Sequence, residues 1–223
     1  MDEREELLDQ TMAARAAAWQ AFGDVDADVL THLLNPALMG GPRWPAMRQA
    51  YRVARRPGAV LLASDGLSDP YDAGEGNPDV NGLGLEFYAA TTDELDELPS
   101  SWLWDLVWQM SNFAASHGGI RGALDQMGTL STELYDVNIP EAHQAHFVNE
   151  EGRVGVLLAL RDERIPESID GPLSPIQLVS IKLLTLSELE LAASNGASGR
   201  QHLASLFVGP DATCSSLLRR SMV

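Results

Sequence analysis

Two histidines three residues apart, His143 and His146, with Glu141 just ahead of them, have a spacing in this 223-residue chain that metal chemistry could use. On a helix such a pair could share a divalent ion, and the chemistry would then be metal-dependent hydrolysis. No third or fourth ligand stands at a paired spacing, so two solvated histidines after Pro140 are the expectation and no metal is assigned. His117 closes an apolar stretch and suits a helix C-terminus, where a cation is favoured. Cys214 is the only cysteine. With no Gly-x-Ser-x-Gly elbow and no Cys/His signature, it reads as an incidental thiol and no activated nucleophile is evident. Gly82-Leu83-Gly84 precedes a strand and does not open a helix, and no Gly-x-x-x-x-Gly-Lys loop is present, so neither a dinucleotide nor a bound triphosphate is implied. No cofactor and no catalytic residue follow from the residues, and the expectation is a protein that is not an enzyme.

Charge narrows the partner. Thirty-two acidic against 15 basic residues give a formal charge of −17, which repels nucleic acid backbones and anionic membrane surfaces; it would speed encounter with a basic protein partner, and it is equally a total that acidic proteomes produce without any binding role. Lys182 is the only lysine. A single cysteine excludes an intramolecular disulfide and fits a reducing compartment. No apolar run approaches the ~18 residues of a membrane span, and the acidic start Met1-Asp2-Glu3-Arg4 lacks an apolar core, so a cytoplasmic, bacterial protein is expected.

The elements that would carry any site follow from periodicity. Leu8, Met12, Trp19 and Phe22 recur at helical spacing between Glu5 and Phe22, with Gly23 as a stop. A short apolar segment, Val29 to Leu34, closes at Asn35-Pro36, and Pro36 to Pro45 reads as loop. Arg48 to Val53 and Ala59 to Ser64 are predicted as a hairpin turning at Arg55-Arg56-Pro57-Gly58. The segment from Asp65 to Asn81 is a long loop rich in Gly, Pro, Asp and Asn, a length that in compact domains often accompanies function. Gly84 to Ala89 alternates Leu85 and Phe87 against Glu86 and Tyr88, as a strand does. Ser100 or Ser101 can cap a helix whose stripe is Leu103, Leu106, Val107, Met110, Phe113 and Ala114. Arg153 to Leu160 and Ile176 to Leu184 are apolar enough to be core strands. Thr185 with Glu188 makes a capping box for a helix through Ala193, a second short helix covers Gln201 to Phe207, and the tail from Leu217 is expected to pair as an edge. The sum is α+β: a mixed, mostly antiparallel sheet packed against helices, with residues 1–43 as an N-terminal helical segment on a domain of residues 44–223.

Gly66-Leu67-Ser68-Asp69-Pro70-Tyr71, then Gly82-Leu83-Gly84-Leu85-Glu86-Phe87, then Ser101-Trp102-Leu103-Trp104-Asp105-Leu106 resemble, in that order, the suppressor-of-fused (SUFU-like) domain family. Ile176 to Thr185 followed by Ser187-Glu188-Leu189, and the terminal Leu218-Arg219-Arg220-Ser221, are similar to its later segments. The chain departs from the family's Glu-Leu-Thr-Phe-Arg strand, reading Glu86-Phe87-Tyr88-Ala89-Ala90. The resemblance implies a protein-binding module. Some free-standing bacterial members of the family serve as immunity proteins, so the resemblance implies an immunity protein neutralising a cognate toxin, with a housekeeping interaction or scaffold protein as the alternative. The candidate partner-binding residues are Asp69, Tyr71, Asp72 and Glu86. For Asp69 a turn role is open beside a contact role, and for Glu86 a solvated strand position is open beside pinning of the loop or a partner. Tyr71 either anchors a partner or folds back. Arg48, Arg52, Arg55 and Arg56 are the only basic concentration, read as a solvated strand face, and Trp104 with Trp108 is read as margin packing or an aromatic patch.

Overall fold

The computed structural model describes residues 2–223. Helix α1, Glu3–Gln20, opens with a capping box between Asp2 and Glu5 and leads into two short strands, β1 (Asp24–Val25) and β2 (Leu30–Thr31). The hairpin is β3 (Ala50–Arg56) and β4 (Ala59–Asp65), in register from Ala50 opposite Asp65 to Arg56 opposite Ala59. The turn is therefore Pro57-Gly58 alone, and Arg55 and Arg56 lie in the strand, not in the turn. β5 (Leu85–Thr91) follows, then α2 (Trp102–His117), capped by the Ser101 side chain, and α3 (Ile120–Met127). β6 (Leu130–Leu134), α4 (Glu141–Phe147), β7 (Val154–Leu158), β8 (Ser168–Asp170), β9 (Pro175–Leu184), α5 (Leu186–Leu206) and β10 (Cys214–Ser215) complete the chain.

The ten strands form one sheet with the order β1-β3-β4-β5-β9-β7-β6, while β2, β8 and β10 pair at β3, β9 and β5. Among the described residues only β5–β9 and β5–β10 are parallel, so the mixed, mostly antiparallel α+β class is observed. β9 joins the halves: Gln177 to Ser180 pair with β5, and Ile181 to Leu184 pair with β7.

Alternation along the strands sends side chains to both faces, and both are covered. Phe87 and Ala89 lie in one core with Leu103, Leu106, Val107 and Met110 of α2, whereas Tyr88 and Ala90 lie in a second core with Ala18, Trp19 and Phe22. Trp104 packs on Tyr51 with ring centroids 4.6 Å apart, so it is core and not surface. α5 covers β7 and β9 through Ala192 and Leu203 against Leu157 and Leu184. The two helices expected near the C-terminus are both present within α5, separated where Gly196 leaves helical geometry at φ +55°, inside the expected break of residues 195–199.

The tail does not pair as an edge. Glu188 in the first turn of α5 holds it: Oε1 accepts from Arg219 Nη1 at 2.6 Å and from Met222 N at 3.0 Å, and Oε2 accepts from Thr185 N at 2.8 Å and from Arg219 Nη2. Burial opposes charge on Glu188, but Arg219 outweighs it and holds the carboxyl below its ordinary range. No helix among the described residues is long and apolar enough to cross a membrane.

Replacing Glu188 by Ala strands the Arg219 guanidinium and two backbone donors. Urea denaturation should show a loss of about 3–5 kcal/mol, the cost of breaking one side of a buried pair, while Glu190→Ala on the same helix should change stability by no more than about 0.5 kcal/mol.

Candidate functional site

One arginine organises the region where the family-like motifs meet. Thr11, Arg15, Ala18 and Trp19 are the buried positions of α1, so the centre of its inward face is a cation and not the apolar residue that periodicity leads one to expect. β4 delivers Asp65, the turn that follows delivers Ser68 and Asp69, and β5 delivers Glu86 on the same face as Tyr88 and Ala90. Arg15 Nη1 donates to Glu86 Oε1 at 2.9 Å and to Ser68 Oγ at 2.8 Å, and Nη2 lies 2.6 Å from Asp69 Oδ1 and 2.8 Å from Asp65 Oδ1. The Arg15 side chain is only 1% exposed.

A second tier closes the charge balance. Arg48 reaches Asp65 Oδ2 at 2.7 Å and Asp69 Oδ2 at 3.3 Å, and Arg52 reaches Asp65 Oδ2 at 3.3 Å. Three guanidinium groups thus face three carboxylates. Arg48 and Arg52 are accordingly not a solvated basic face. Burial alone would push Arg15 toward neutrality, but Asp69, Glu86 and Asp65 together raise its pKa above the ordinary guanidinium value. Burial would likewise raise Asp65, and Arg15 and Arg48 reverse this and hold it below 3.8.

Glu86 does more than pair with Arg15. Its Oε1 accepts from Gly66 N at 3.1 Å, Ser68 N at 2.9 Å and Ser68 Oγ at 2.7 Å, and Ser64 Oγ donates to Oε2. One carboxylate therefore satisfies the backbone of the Gly-Leu-Ser-Asp turn. Gly66 is needed there because a Cβ would sit 2.7 Å from Arg48 O and 2.9 Å from the Trp44 ring. At the other end of the loop Asn81 donates to Thr11 Oγ1 at 2.9 Å and to Ser68 O at 3.2 Å, and accepts from Leu173 N and Ser174 N at 2.9 and 3.0 Å.

The four predicted contact residues separate into two pairs. Asp69 and Glu86 are brought together on Arg15 with no exposed surface, so the solvated position considered for Glu86 is not observed and its carboxylate pins the loop. Tyr71 and Asp72 stand outside at the surface. Tyr71 is half-buried because its ring folds against Gly76, where a Cβ would lie 2.3 Å from the ring, and this burial raises the phenol's pKa. Asp72 pairs with Arg4 and, at 3.3 Å, with Arg43. Arg55 and Arg56 pair with Asp26 and Asp211. His143 and His146 lie on α4, and among the described residues no group of three His, Cys, Asp or Glu is placed to hold a metal ion. Arg15, Asp65, Asn81 and Thr11 were missing from the sequence reading. The available signal was a polar pair at i and i+4 on the face that also carries Trp19.

The cluster has the side chains of an acid–base centre and the burial of a core. Every carboxylate is held by a cation, and the atoms that could exchange protons are shielded from solvent, so what the arrangement does is to lock α1, the turn and β5 into one unit.

No protein-family model matches this chain, and no curated protein sequence matches it. Solved structures do. One, described as the Sufu–Fu complex crystal structure, is 17% identical with a TM-score of 0.56, and the match covers 96% of this chain and 91% of that one. Another, Drosophila Suppressor of Fused, is 17% identical with a TM-score of 0.55 over 96% of this chain and 51% of that one. This chain shares the Suppressor of Fused fold, and spans about half the length of the Drosophila protein.

Arg15→Leu should cost about 3–5 kcal/mol in denaturation, because it leaves buried carboxylates uncompensated, and Arg15→Lys should restore little, since an ammonium cannot reproduce the fork. Asp65 has a depressed folded pKa, so the unfolded chain binds its proton first. The stability from Asp65 is complete well above 3.8 and is lost as pH falls through and below that value. An acid titration followed by circular dichroism should show Asp65→Asn losing part of that slope.

Proposed function

We propose that this chain is a protein-binding module that acts stoichiometrically, without bond chemistry, on a basic partner. The observation that carries this reading is the Suppressor of Fused fold over nearly the whole chain, in a neighbour crystallised as a complex with Fu. In this reading residues 44–223 are the SUFU-like unit, and residues 1–43 are a segment fastened to it through Arg15. Asp69 and Glu86 hold the loop, and Tyr71 and Asp72, with the exposed stretch behind them, present it. A loop rising from a rigid frame with an aromatic and acids is a form that recognition surfaces take. The formal charge of −17 supports capture of a basic protein by steering. The most specific form of the proposal is an immunity protein in the bacterial cytoplasm that occludes its cognate toxin.

The immobilised chain should retain a partner from extracts of its own organism, and that partner, purified, should form a one-to-one complex that weakens as salt rises. Tyr71→Ala should weaken it about tenfold or more. Absence of any complex, or equal binding by Tyr71→Ala, would sink the reading. Toxicity of the partner, relieved by co-expression of this chain, would establish the immunity role, and a harmless partner would point to a scaffold.

A further inference from the structure

The sharpest unexplained feature lies between β2 and β3. Leu33 is 101% exposed, Leu34 65%, Leu38 71% and Met39 75%. Single exposed apolar residues are ordinary, but four large ones within seven positions form a patch, and such patches mark interaction sites. They are not on a loose strand of chain. Asn35 accepts from Ala37 N at 2.9 Å with its side chain and donates to Met47 O. Pro36–Met39 form a 3₁₀ turn closed by left-handed Gly40, and Gly41 N donates to Pro36 O at 2.9 Å. The turn satisfies its own backbone and turns its large side chains outward.

Its surroundings say what fits there. On one side the ridge borders a groove of about 440 Å³ that Pro36, Trp108, Phe113 and Tyr135 line, with Glu133 and Asp136 among the lining residues. Asp136 makes no ion pair among the described residues and is exposed. On the other side Arg43, four residues past Met39, pairs with Asp72 and with Glu75 at 2.6 Å, so the same stretch runs into the acidic loop. Arg4 and Arg43 offset Asp72 and Glu75, and Arg153 lies 3.9 Å from Glu133, so of these carboxylates Asp136 is the one left open to a cation beside the apolar knobs.

We propose that Leu33, Leu34, Leu38 and Met39 are the apolar half of the partner surface, and that the segment seated on them is a basic amphipathic helix of another protein. The proposal rests on the protein-binding reading above and names the chemistry of the partner. An amphipathic helix places leucine-type side chains along a groove while its lysines and arginines meet carboxylates at the rim. A second copy of this chain would bring two bodies of charge −17 together, and an anionic lipid surface would meet the same repulsion.

The probe is a fluorescein-labelled synthetic Leu/Lys peptide of about four helical turns, with Leu/Glu and Ser/Lys peptides of equal length as controls, followed by anisotropy at about 0.15 M salt. The Leu/Lys peptide should bind at least about tenfold more tightly than either control, and Leu38→Ser with Met39→Ser should remove most of that difference while circular dichroism stays unchanged, as surface changes permit. Equal binding by the double variant, or Leu/Glu binding as well as Leu/Lys, overturns the proposal. So does a dimer in sedimentation that the double variant dissolves, which would make the patch a face for self-association. Against a captured native partner the two readings part: a double variant with full affinity beside a defective Tyr71→Ala rejects this surface and leaves the module, whereas peptide binding that depends on Leu38 and Met39 with no native complex keeps the groove and rejects the module as drawn.

Discussion

A guanidinium removed from water is stable only where anions and acceptors surround it, and Arg15 meets that condition through groups from three separate parts of the chain. Asp65 ends β4, Ser68 and Asp69 form the turn after it, and Glu86 sits in β5. Each ion would be costly to bury alone. Together they are tolerable only in one mutual placement, so the pairing specifies where α1 lies on the sheet more narrowly than apolar contact would. Trp19 and Phe22 supply area against Tyr88 and Ala63, and Arg15 supplies the register.

The consequence extends outward. Because Glu86 satisfies the amides of Gly66 and Ser68, and Asn81 ties the far end of the loop to Thr11, the stretch between them begins and ends on fixed points. Between those points the loop projects, with Asp72 held by Arg4 and Arg43. Arg43 then connects that projection to the turn carrying Leu38 and Met39. Segments far apart in sequence are thereby tied to a common frame.

Most of the sheet was legible because period-two alternation and apolar runs report burial directly, as Leu85 to Ala89 and Ile176 to Leu184 do. The stripe of α2 was legible for the same reason. The failures share a cause. A buried arginine gives no hydrophobic signal, so Arg15 could not be seen in α1, and without its cation nothing decided between the structural and contact roles open for Asp69 and Glu86. The tail was misjudged because Glu188, which reads locally as half of a capping box, is also the anchor for Arg219 and Met222. α3 starts after Gly119, which stands at φ +69° and offers no capping side chain to announce a helix.

Strongly coupled carboxylates and arginines in one spot often mark a reactive centre. The distinction lies in what each charge faces. In a reactive centre at least one titratable group is left to meet substrate, and its environment holds it near the point of exchange. Around Arg15 the balance runs the other way: cations outweigh burial at Asp65, carboxylates outweigh it at Arg15, and both shifts reinforce the charged forms. Groups driven away from exchange and shielded from solvent make a clasp. The densest chemistry in the molecule is thus structural, and its barest surface is where Leu33 and Leu38 stand exposed with nothing among the described residues to cover them.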